Sequence, residues 1–464
     1  MRDSAPPMLD RESLWILAAA LERMDAGFAS LPPFSSADVA AGPAAFSAFS
    51  AVLDEAARRM EDNFPYFHPL YAGQMLKTPH PVARMAYALA TWINPNNHAL
   101  DGGRASSAME KEAVAEIAAM FGWIEHLGHL PGGGTMANLE ALWAAGLTSP
   151  GTVLASSQAH YTHQRISGVL GLPFETVGVD ARGCMDTGAI EKRLAAGGVG
   201  TVVATMGTTA TGSVDPLPEI LALRERFGFR LHADAAYGGY FGLVADLEPK
   251  ARNAFDALPR VDSIVIDPHK HGLQPYGCGC VLFRDPAIGR LYKHDSPYTY
   301  FSSTDLHLGE ISLECSRPGA AAVALWATQR LLPLVPGGEF ARRLEMSLHA
   351  ARALSKRIRA DARFAAGFVP ELDIVVWVPR APTAAAASAL SRRIFDACAV
   401  RGLHLALAEL PVAFFETSGF GGAAGTVTCL RSVLMKPEHA DWVDRIWEIV
   451  GEAADASGAA PPHD

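Results

Sequence analysis

The stretch Ser263-Ile-Val-Ile-Asp-Pro-His-Lys-His-Gly272 joins a short apolar run to a polar turn that carries a lysine between two histidines. An apolar, β-branched run that ends at such a turn predicts a buried strand. Similar runs precede it at Thr152-Val-Leu-Ala, Thr201-Val-Val-Ala-Thr and Phe229-Arg-Leu-His-Ala, and segments of helical composition separate them. Strands that alternate with helices in this way, from about residue 110 to 285, predict an α/β fold with a mostly parallel sheet.

The second half of the chain has a different pattern. Cys280-Val-Leu-Phe-Arg follows the strand at Ser263 too closely for a helical crossover, so we expect it to pair antiparallel at an edge or beside it. After about residue 325, long Ala/Leu/Arg-rich helical stretches surround strand candidates at Ile374-Val-Val-Trp-Val and Thr426-Val-Thr-Cys-Leu, and a closing helix starts at Pro437. This pattern predicts a smaller α+β domain.

The first 75 residues do not resemble a separate domain. Two helical stretches, Glu12 to Met24 and Ala44 to Glu61, flank a Pro/Ser/Ala-rich connection, and we expect such an arm to pack on the main body or on a second subunit. The predicted organisation is an N-terminal helical arm (1–75), a large α/β domain (76–325) and a small C-terminal α+β domain with a disordered tail (326–464).

The composition excludes several classes of protein. The chain has 464 residues, 49% hydrophobic and 19% charged, which is enough for two packed domains. A net charge of −10 without a Lys/Arg run argues against a nucleic-acid or anionic-membrane partner. The start predicts no secretory signal, and no apolar run reaches the ~18 residues of a membrane span. Six scattered cysteines without C-x-x-C favour a reducing, cytoplasmic compartment, and we predict no metal site.

A glycine run at Gly132-Gly-Gly-Thr-Met-Ala-Asn opens a predicted helix. Its backbone N–H groups and the positive end of the helix dipole together favour an anion, so the run is a candidate phosphate site. The alternative is an ordinary glycine turn with Thr135 as the N-cap. It is not a dinucleotide motif, because Ala137 stands where G-x-G-x-x-G needs a third glycine.

Three more polar residues follow predicted strands, and ligands of open α/β sheets bind outside the carboxyl ends of the strands. Asp234, in His232-Ala-Asp-Ala-Ala-Tyr, offers a carboxylate that pairs well with a protonated pyridine nitrogen. Lys270 can form an imine if its ammonium is partly desolvated, and His160, in Ser157-Gln-Ala-His, can stack on a planar cofactor. Taken singly, each also fits an ordinary turn residue, a solvated charge or a structural histidine.

With these motifs in view, the chain resembles the group II pyridoxal-phosphate decarboxylases, which include the aromatic amino-acid, tyrosine and glutamate decarboxylases. The resemblance runs from about Asn63 to Arg431. It implies pyridoxal 5'-phosphate as the cofactor, a fold type I enzyme with a seven-stranded-type sheet, and a homodimer with active sites at the subunit interface. Its most specific pieces are Asp267-Pro-His-Lys-His-Gly with Pro275-Tyr-Gly, His232-Ala-Asp-Ala-Ala-Tyr, Ala204-Thr-Met-Gly-Thr-Thr and Ile93-Asn-Pro-Asn.

The resemblance also implies a role for individual residues. Lys270 would hold the cofactor as a Schiff base, His160 would stack on the ring, and Asp234 would pair with the pyridine nitrogen. The remaining implied contacts are Ala236 on the other face of the ring, Gly134 and Thr135 at the phosphate, Thr208 near the ring's oxygen side, and His269 near the phosphate or the carboxylate to be lost.

The match to the family departs from its pattern at two positions. Met136 stands where many members have Glu, and Asp267 stands where the aromatic decarboxylases have Asn. An aspartate near a phosphate would repel it unless it is turned away or protonated, so we do not expect Asp267 to bind phosphate.

The implied reaction is decarboxylation of an L-amino acid to the amine and CO2. The proton donor in this family is a tyrosine on a loop, and the matching stretch from Lys293 to Ser302 offers Tyr298 and Tyr300, for which simple packing is the alternative. The aromatic segment Phe64-Pro-Tyr-Phe-His-Pro-Leu-Tyr resembles the arm that lines the pocket, so an aromatic or large apolar substrate is expected; a core cluster is the alternative. We interpret Arg317 as structural or at the dimer interface; a contact with the substrate carboxylate is the alternative.

Two other functions remain open from the sequence. An aminotransferase or a retro-aldol lyase on the same fold would use the same lysine, aspartate and phosphate site. A catalytically silent homologue that acts as a binding partner would be expected to lack Lys270 or Asp234, and both residues are present.

Overall fold

A computed structural model describes residues 9–32, 42–293, 306–415 and 425–459 of the chain. The first two helices have nearly the same limits along the chain as the two helical stretches predicted for the amino-terminal arm. The α-helices are α1 (Ser13–Gly27), α2 (Gly42–Met60), α3 (Pro81–Thr91), α4 (Leu100–Met120), α5 (Gly134–Thr148), α6 (Thr162–Leu170), α7 (Thr187–Ala195), α8 (Leu217–Phe227), α9 (Pro249–Asp256), α10 (Gly319–Leu331), α11 (Glu339–Ala360), α12 (Ala384–Val400) and α13 (His439–Ala456).

A seven-stranded sheet forms the centre of the molecule, with the strand order β1-β7-β6-β5-β4-β2-β3. The five strands from β3 to β6 are parallel, while β7 runs antiparallel to both β6 and β1. The predicted fold class is therefore confirmed, together with the antiparallel strand beside the edge. The strands are β1 (Leu127–His129), β2 (Thr152–Ser156), β3 (Phe174–Val177), β4 (Val199–Thr205), β5 (Arg230–Asp234), β6 (Ser263–Ile266) and β7 (Cys280–Phe283).

The middle of this sheet is buried, and one of its faces is apolar there. Val202, Leu231 and Ile264 on three neighbouring strands have no exposed surface. Helix α5 contacts β4, β5, β6 and β7 on one face. Because β2, β4, β5 and β6 are parallel, their carboxyl ends meet at one edge of the sheet, which is where a ligand is expected in an open α/β fold.

A second, antiparallel sheet follows in the sequence, with the order β10-β11-β9-β8. Helices α11 and α12 pack on it, α13 packs on those two helices, and Trp377 is fully buried in its core. This α+β unit matches the prediction for the C-terminal part of the chain. Its strands are β8 (Phe364–Ala366), β9 (Ile374–Pro379), β10 (Ala406–Pro411) and β11 (Thr426–Val433).

Arg431, on β11, ties the second sheet to the first. Its Nε donates to the carbonyl oxygen of Ala210 at 3.0 Å, and one terminal nitrogen donates to that of Thr209 at 2.6 Å. The other terminal nitrogen donates to the carbonyl oxygen of Gly73 at 3.1 Å. One buried guanidinium therefore fixes the loop after β4 and the segment before α3 relative to the second sheet.

The first of the amino-terminal helices contacts the main body. Helix α1 packs on α3, and Asp10 forms a 3.0 Å ion pair with Arg84 at the start of that contact. Within the described residues, no helix is both long enough and apolar enough to cross a membrane.

Candidate active site

A cavity of about 560 Å³ opens at the carboxyl edge of the central sheet. The residues that line it come from the turn before α5, from the segments after β2, β4, β5 and β6, and from the segment before α10. The predicted site residues among them are Gly134, Thr135, His160, Asp234, Ala236, His269 and Lys270.

The glycine turn before α5 is shaped by close approaches of the backbone. Gly133 has φ of 146°, a conformation that L side chains rarely adopt, and it is the N-cap residue of α5. A Cβ on Gly279 would lie 2.6 Å from Gly133, and one on Gly134 would lie 2.5 Å from the Asp267 carboxylate. Thr135 lies inside the first turn, so the alternative in which it caps the helix is wrong.

The first turn of α5 has no side-chain cap, which leaves N–H groups for an anion. One neighbouring amide is already engaged, because Gly132 N donates to Glu314 Oε2 at 3.0 Å. Glu314 precedes α10 and also lines the cavity, so it links the segment before that helix to the glycine turn.

Lys270 lies in the turn after β6, where its backbone N–H donates to the carbonyl oxygen of Asp267. Its side chain is 21% exposed, and its Nζ lies 3.1 Å from Asp267 Oδ2. The sequence left open whether Asp267 is turned away or protonated. The structure turns its carboxylate toward Lys270 and the first turn of α5, and Oδ1 is buried without a hydrogen-bond partner among the described residues.

His269 lines the cavity beside Lys270. Its Nδ1 donates to the carbonyl oxygen of Cys278 at 2.8 Å, which fixes the ring. The other ring nitrogen, Nε2, lies 3.6 Å from Asp267 Oδ2. The ring of Tyr276 packs against His269 at a centroid distance of 4.9 Å.

Asp234 ends β5 and is 5% exposed. Its Oδ2 accepts a hydrogen bond from His163 Nε2 at 2.8 Å, and its Oδ1 accepts one from the backbone N–H of Ala236 at 3.1 Å. Burial alone would raise the pKa of this carboxyl. The hydrogen bond from His163 and the nearby Lys270 outweigh burial and hold the pKa well below its ordinary value, so Asp234 is ionised.

His160 follows β2 and lines the same cavity. Its Nδ1 accepts a hydrogen bond from the backbone N–H of Thr162 at 3.3 Å, so the proton of the neutral ring lies on Nε2. Burial lowers the pKa of His160, and Lys270 also lowers it, although Asp234 acts in the opposite direction. A neutral, half-buried imidazole is suited to stacking.

Thr208 lies deeper than the sequence indicates. Its Oγ1 is 2.7 Å from Thr211 Oγ1 and accepts from the backbone N–H of Ser213, and the residue is fully buried. Its neighbour Thr209 lines the cavity instead. The side-chain directions of a turn depend on its backbone angles, and Gly207 has φ of 106° here.

Three other predictions concern residues that lie away from the cavity or outside the described residues. Tyr298 and Tyr300 lie in 294–305, outside the described residues. Arg317 is buried, 2.9 Å from Glu110, as expected for a structural residue. In the aromatic segment 64–71, Phe64 and Tyr66 pack against Tyr71 and His404, and no residue of the segment is among those that line the cavity.

Sequence reasoning missed three residues of the site. His163 is three positions after His160, so helical spacing was the available signal for two histidines on one turn. Asn138 lines the cavity one turn into α5 and pairs with His232, and Glu314 reaches the glycine turn from a distant segment. No local pattern marks Glu314.

Residues 61–378 match the model of the pyridoxal-dependent decarboxylase conserved domain. The chain belongs to this family. Members with related sequences include the L-tyrosine decarboxylase of Enterococcus faecium, which is 26% identical over 65% of this chain and 66% of that enzyme. The L-aspartate decarboxylase of Thermococcus kodakarensis is 30% identical over 60% of this chain and 71% of that enzyme. The chain thus spans slightly less than two thirds of the Enterococcus enzyme.

Solved structures with the same fold include the Oryza sativa TDC with PLP and tryptamine, with a TM-score of 0.76 and 20% identity over 98% of this chain and 99% of that one. The apo form of mouse CSAD has a TM-score of 0.74 and 20% identity over 95% of this chain and 99% of that one. These findings confirm the predicted family, fold type I and cofactor, pyridoxal phosphate. They also support the predicted class of reaction, decarboxylation of an amino acid.

The polar groups that line the cavity fit pyridoxal phosphate. The glycine turn forms the uncapped start of α5, whose backbone N–H groups suit a phosphate. The ionised Asp234 suits a protonated ring nitrogen, and Lys270 supplies an amine for the aldehyde. The small side chain of Ala236 leaves room for a flat ring.

Proposed function

We propose that this chain catalyses the pyridoxal-phosphate-dependent decarboxylation of an L-amino acid, with an aromatic or large apolar side chain favoured, to the amine and CO2. One observation carries the proposal: Lys270, His160, Asp234 and the glycine turn before α5 line a single cavity. An amine, an ionised carboxylate, a neutral imidazole and an anion site in one place are the groups that this chemistry requires.

In this proposal several residues of the cavity hold the cofactor. Gly134 and Thr135 bind its phosphate through backbone N–H groups and the threonine hydroxyl. Lys270 holds it covalently through its side-chain nitrogen. His160 stacks on the ring, and Ala236 packs on the opposite face. Thr209, which lines the cavity, makes the contact near the ring oxygen that the sequence suggested for Thr208.

The polar residues then control protons. When bound, pyridoxal phosphate supplies an electron sink for the pair left by the departing carboxylate. Asp234 holds the proton on the ring nitrogen. His269 donates from Nδ1 to the carbonyl oxygen of Cys278, so it can donate to the phosphate or the substrate carboxylate through Nε2 when that nitrogen also carries a proton. Tyr298 or Tyr300 is the proposed donor of the proton that returns to Cα.

The charges of the cavity support a substrate with a neutral side chain. Among the described residues, its lining contains no arginine, and Lys270 is its sole lysine. Asp234, Asp267 and Glu314 add negative charge. A carboxylate on the substrate side chain would meet repulsion and no matching cation, so a tyrosine-like substrate is favoured over aspartate.

The deciding experiment measures CO2 and keto acid from the purified protein with pyridoxal phosphate and a panel of twenty amino acids and common derivatives. We expect CO2 and the matching amine, fastest with an aromatic or large apolar substrate. Formation of keto acid without CO2 would establish an aminotransferase. Formation of an aldehyde without CO2 would establish a retro-aldol lyase. Failure to take up pyridoxal phosphate would reject the proposal altogether.

We further propose a homodimer with the active site at the subunit interface. Support comes from α2, where Phe46, Phe49 and Leu53 share one face and are 78%, 65% and 57% exposed. An apolar helix face of this kind is suited to a second copy of the chain. Light scattering should give twice the chain mass, and Phe49→Glu should lower it while Arg59→Glu, on the same helix, should not.

The cellular compartment and the domain limits also remain proposals. We place the protein in the cytoplasm, because all six cysteines lie in the described residues, none forms a disulfide and five are buried. We keep the division into an arm (1–75), a large domain (76–325) and a small domain (326–464). Limited proteolysis should cut near these limits, and cell fractionation tests the compartment.

A further inference from the structure

Asp234 has a partner that lies behind the cavity. His163 Nε2 is 2.8 Å from Asp234 Oδ2, and the two side chains are 0% and 6% exposed. The backbone N–H of His163 donates to the carbonyl oxygen of His160, so both histidines belong to the turn that starts α6. His160 lines the cavity, while His163 contacts the carboxylate from the protein side.

The direction of this hydrogen bond follows from burial. Nδ1 of His163 is buried and has no partner among the described residues. A second ring proton there would be a buried donor without an acceptor, so the single proton lies on Nε2 and is donated to Asp234. Asp234 therefore accepts from His163 through one oxygen and from Ala236 N through the other.

The group behind His163 adds no charge to the pair. The ring of His232 lies 6.3 Å from that of His163. Burial lowers the pKa of His232 to about 3, so it is neutral, and Ser263 and Asn138 hold its two nitrogens at 2.9 and 2.8 Å. The groups that face Asp234 are thus His163, with the neutral His232 behind it, and, on the cavity side, His160 and Lys270.

We propose that His163 is a positioning residue that keeps Asp234 ionised and fixed in orientation, and thereby keeps the ring nitrogen of the bound cofactor protonated. This inference rests on the proposed function, because it assigns a role toward pyridoxal phosphate. His163 does not line the cavity and acts through Asp234 alone.

The physical reason is the cost of a buried carboxylate. Burial favours the neutral acid, and a neutral Asp234 would lose its electrostatic attraction for a protonated pyridine nitrogen. The donor on His163 reverses that preference. Removing this donor should therefore shift the proton from the ring nitrogen toward the carboxyl group, even though every residue that touches the cofactor is still present.

The test compares His163→Phe, which keeps a ring but has no donor, with His163→Gln, whose amide reaches the position of Nε2. The readout is the 15N chemical shift of the ring nitrogen in the holoenzyme, loaded with 15N-labelled pyridoxal phosphate. We expect a protonated nitrogen in the unaltered protein and in His163→Gln. In His163→Phe we expect a shift toward the deprotonated value, with kcat about 10- to 100-fold lower and KM little changed.

A coupling control separates positioning from a general structural effect. In an Asp234→Asn background, His163→Phe should cause no further change in the 15N shift, because the carboxylate it acts on is gone. If His163→Phe does not fold, His163→Met is the second variant without a donor. An unchanged 15N shift in a folded variant that binds cofactor would overturn this inference alone. Absence of cofactor binding in the unaltered protein would instead overturn the proposed function.

Discussion

The ammonium nitrogen of Lys270 lies 3.1 Å from Oδ2 of Asp267, and the same carboxylate covers the first turn of α5 at Gly134. One negative charge therefore stands between the amine that is to react and the site proposed for the phosphate. It holds the lysine nitrogen in an ion pair, and it repels an incoming phosphate. Both effects oppose cofactor binding.

Replacing Asp267 by Asn should therefore strengthen cofactor binding. The amide keeps the shape of the side chain but removes the charge, so we expect the Kd of pyridoxal phosphate to fall about tenfold, which corresponds to roughly 1.4 kcal/mol. The effect should be larger at low salt. Absorbance titration of the apoprotein measures it.

Glu314→Gln is the matched control for that experiment. It removes a carboxylate that accepts from Gly132 N at the same turn but does not pair with Lys270. A similar gain in both variants would assign the whole effect to phosphate repulsion, and a gain in Asp267→Asn alone would assign it to the lysine. Weaker binding by Asp267→Asn would contradict the prediction.

Lys270→Ala should abolish the covalent link to the cofactor. We expect the absorbance band near ~420 nm to disappear, while the phosphate site still binds pyridoxal phosphate weakly. Borohydride reduction followed by peptide mass analysis should label Lys270 in the unaltered protein and no lysine in the variant. Lys250→Ala is the control, because that lysine is exposed on α9. A labelled variant would move the anchor to another lysine.

The strands that could be predicted from sequence are those buried in the middle of a sheet. The prediction at Ser263–Ile266 agrees with β6 at both ends, because four consecutive buried residues leave a clear apolar run. β3 was missed, since this edge strand has exposed residues in its middle. β8, Phe-Ala-Ala, was missed because it has no β-branched residue to mark it as a strand.

The same limit applies to the site. The grouping of Asp234, Lys270 and His160 around one cavity could be predicted, because each lies at or after the end of a strand and the parallel sheet brings those strand ends together. The choice between Thr208 and Thr209 could not, because it depends on the backbone angles of one turn. The contact of His163 with Asp234 joins a helix to a strand end 71 positions away, and no local pattern contains that distance.

The buried pair of Arg317 and Glu110 should be important for stability. Glu110 accepts from Arg317, from Asn97 Nδ2 and from Leu130 N, and both charged side chains are 2% exposed. Glu110→Leu leaves a buried guanidinium without its counter-charge, so the free energy of unfolding should fall by about 3–5 kcal/mol. Chemical denaturation measures this change.

An exposed pair gives the comparison for that variant. Glu339→Leu breaks the ion pair with Arg343 on the surface of α11, and we expect a loss of about 0.5 kcal/mol or less. A loss of similar size in Glu110→Leu would show that the buried pair is not a main source of stability.

Two lysines whose ammonium groups are shielded from water should make stability depend on pH above neutrality. Burial lowers the pKa of Lys436 to about 7 and that of Lys77 to about 8, from the ordinary 10.5. Between pH 8 and 10.5 the unfolded chain therefore carries protons on both lysines that the folded chain lacks. Stability rises with pH in that window, by about 1.4 kcal/mol per pH unit for each proton difference.

Lys436→Met tests this sign. The variant removes one of the two proton differences, so between pH 8 and 10.5 the rise in the free energy of unfolding should have about half the slope that these two lysines contribute. Lys250→Met, at an exposed position, should leave the slope unchanged. Lys436 also donates to the carbonyl oxygen of Tyr71 at 2.6 Å, a contact whose loss lowers stability at every pH. The slope of the free energy of unfolding against pH therefore reports the charge of Lys436 separately from this contact. An unaltered slope in Lys436→Met would mean that this lysine is protonated in the folded protein.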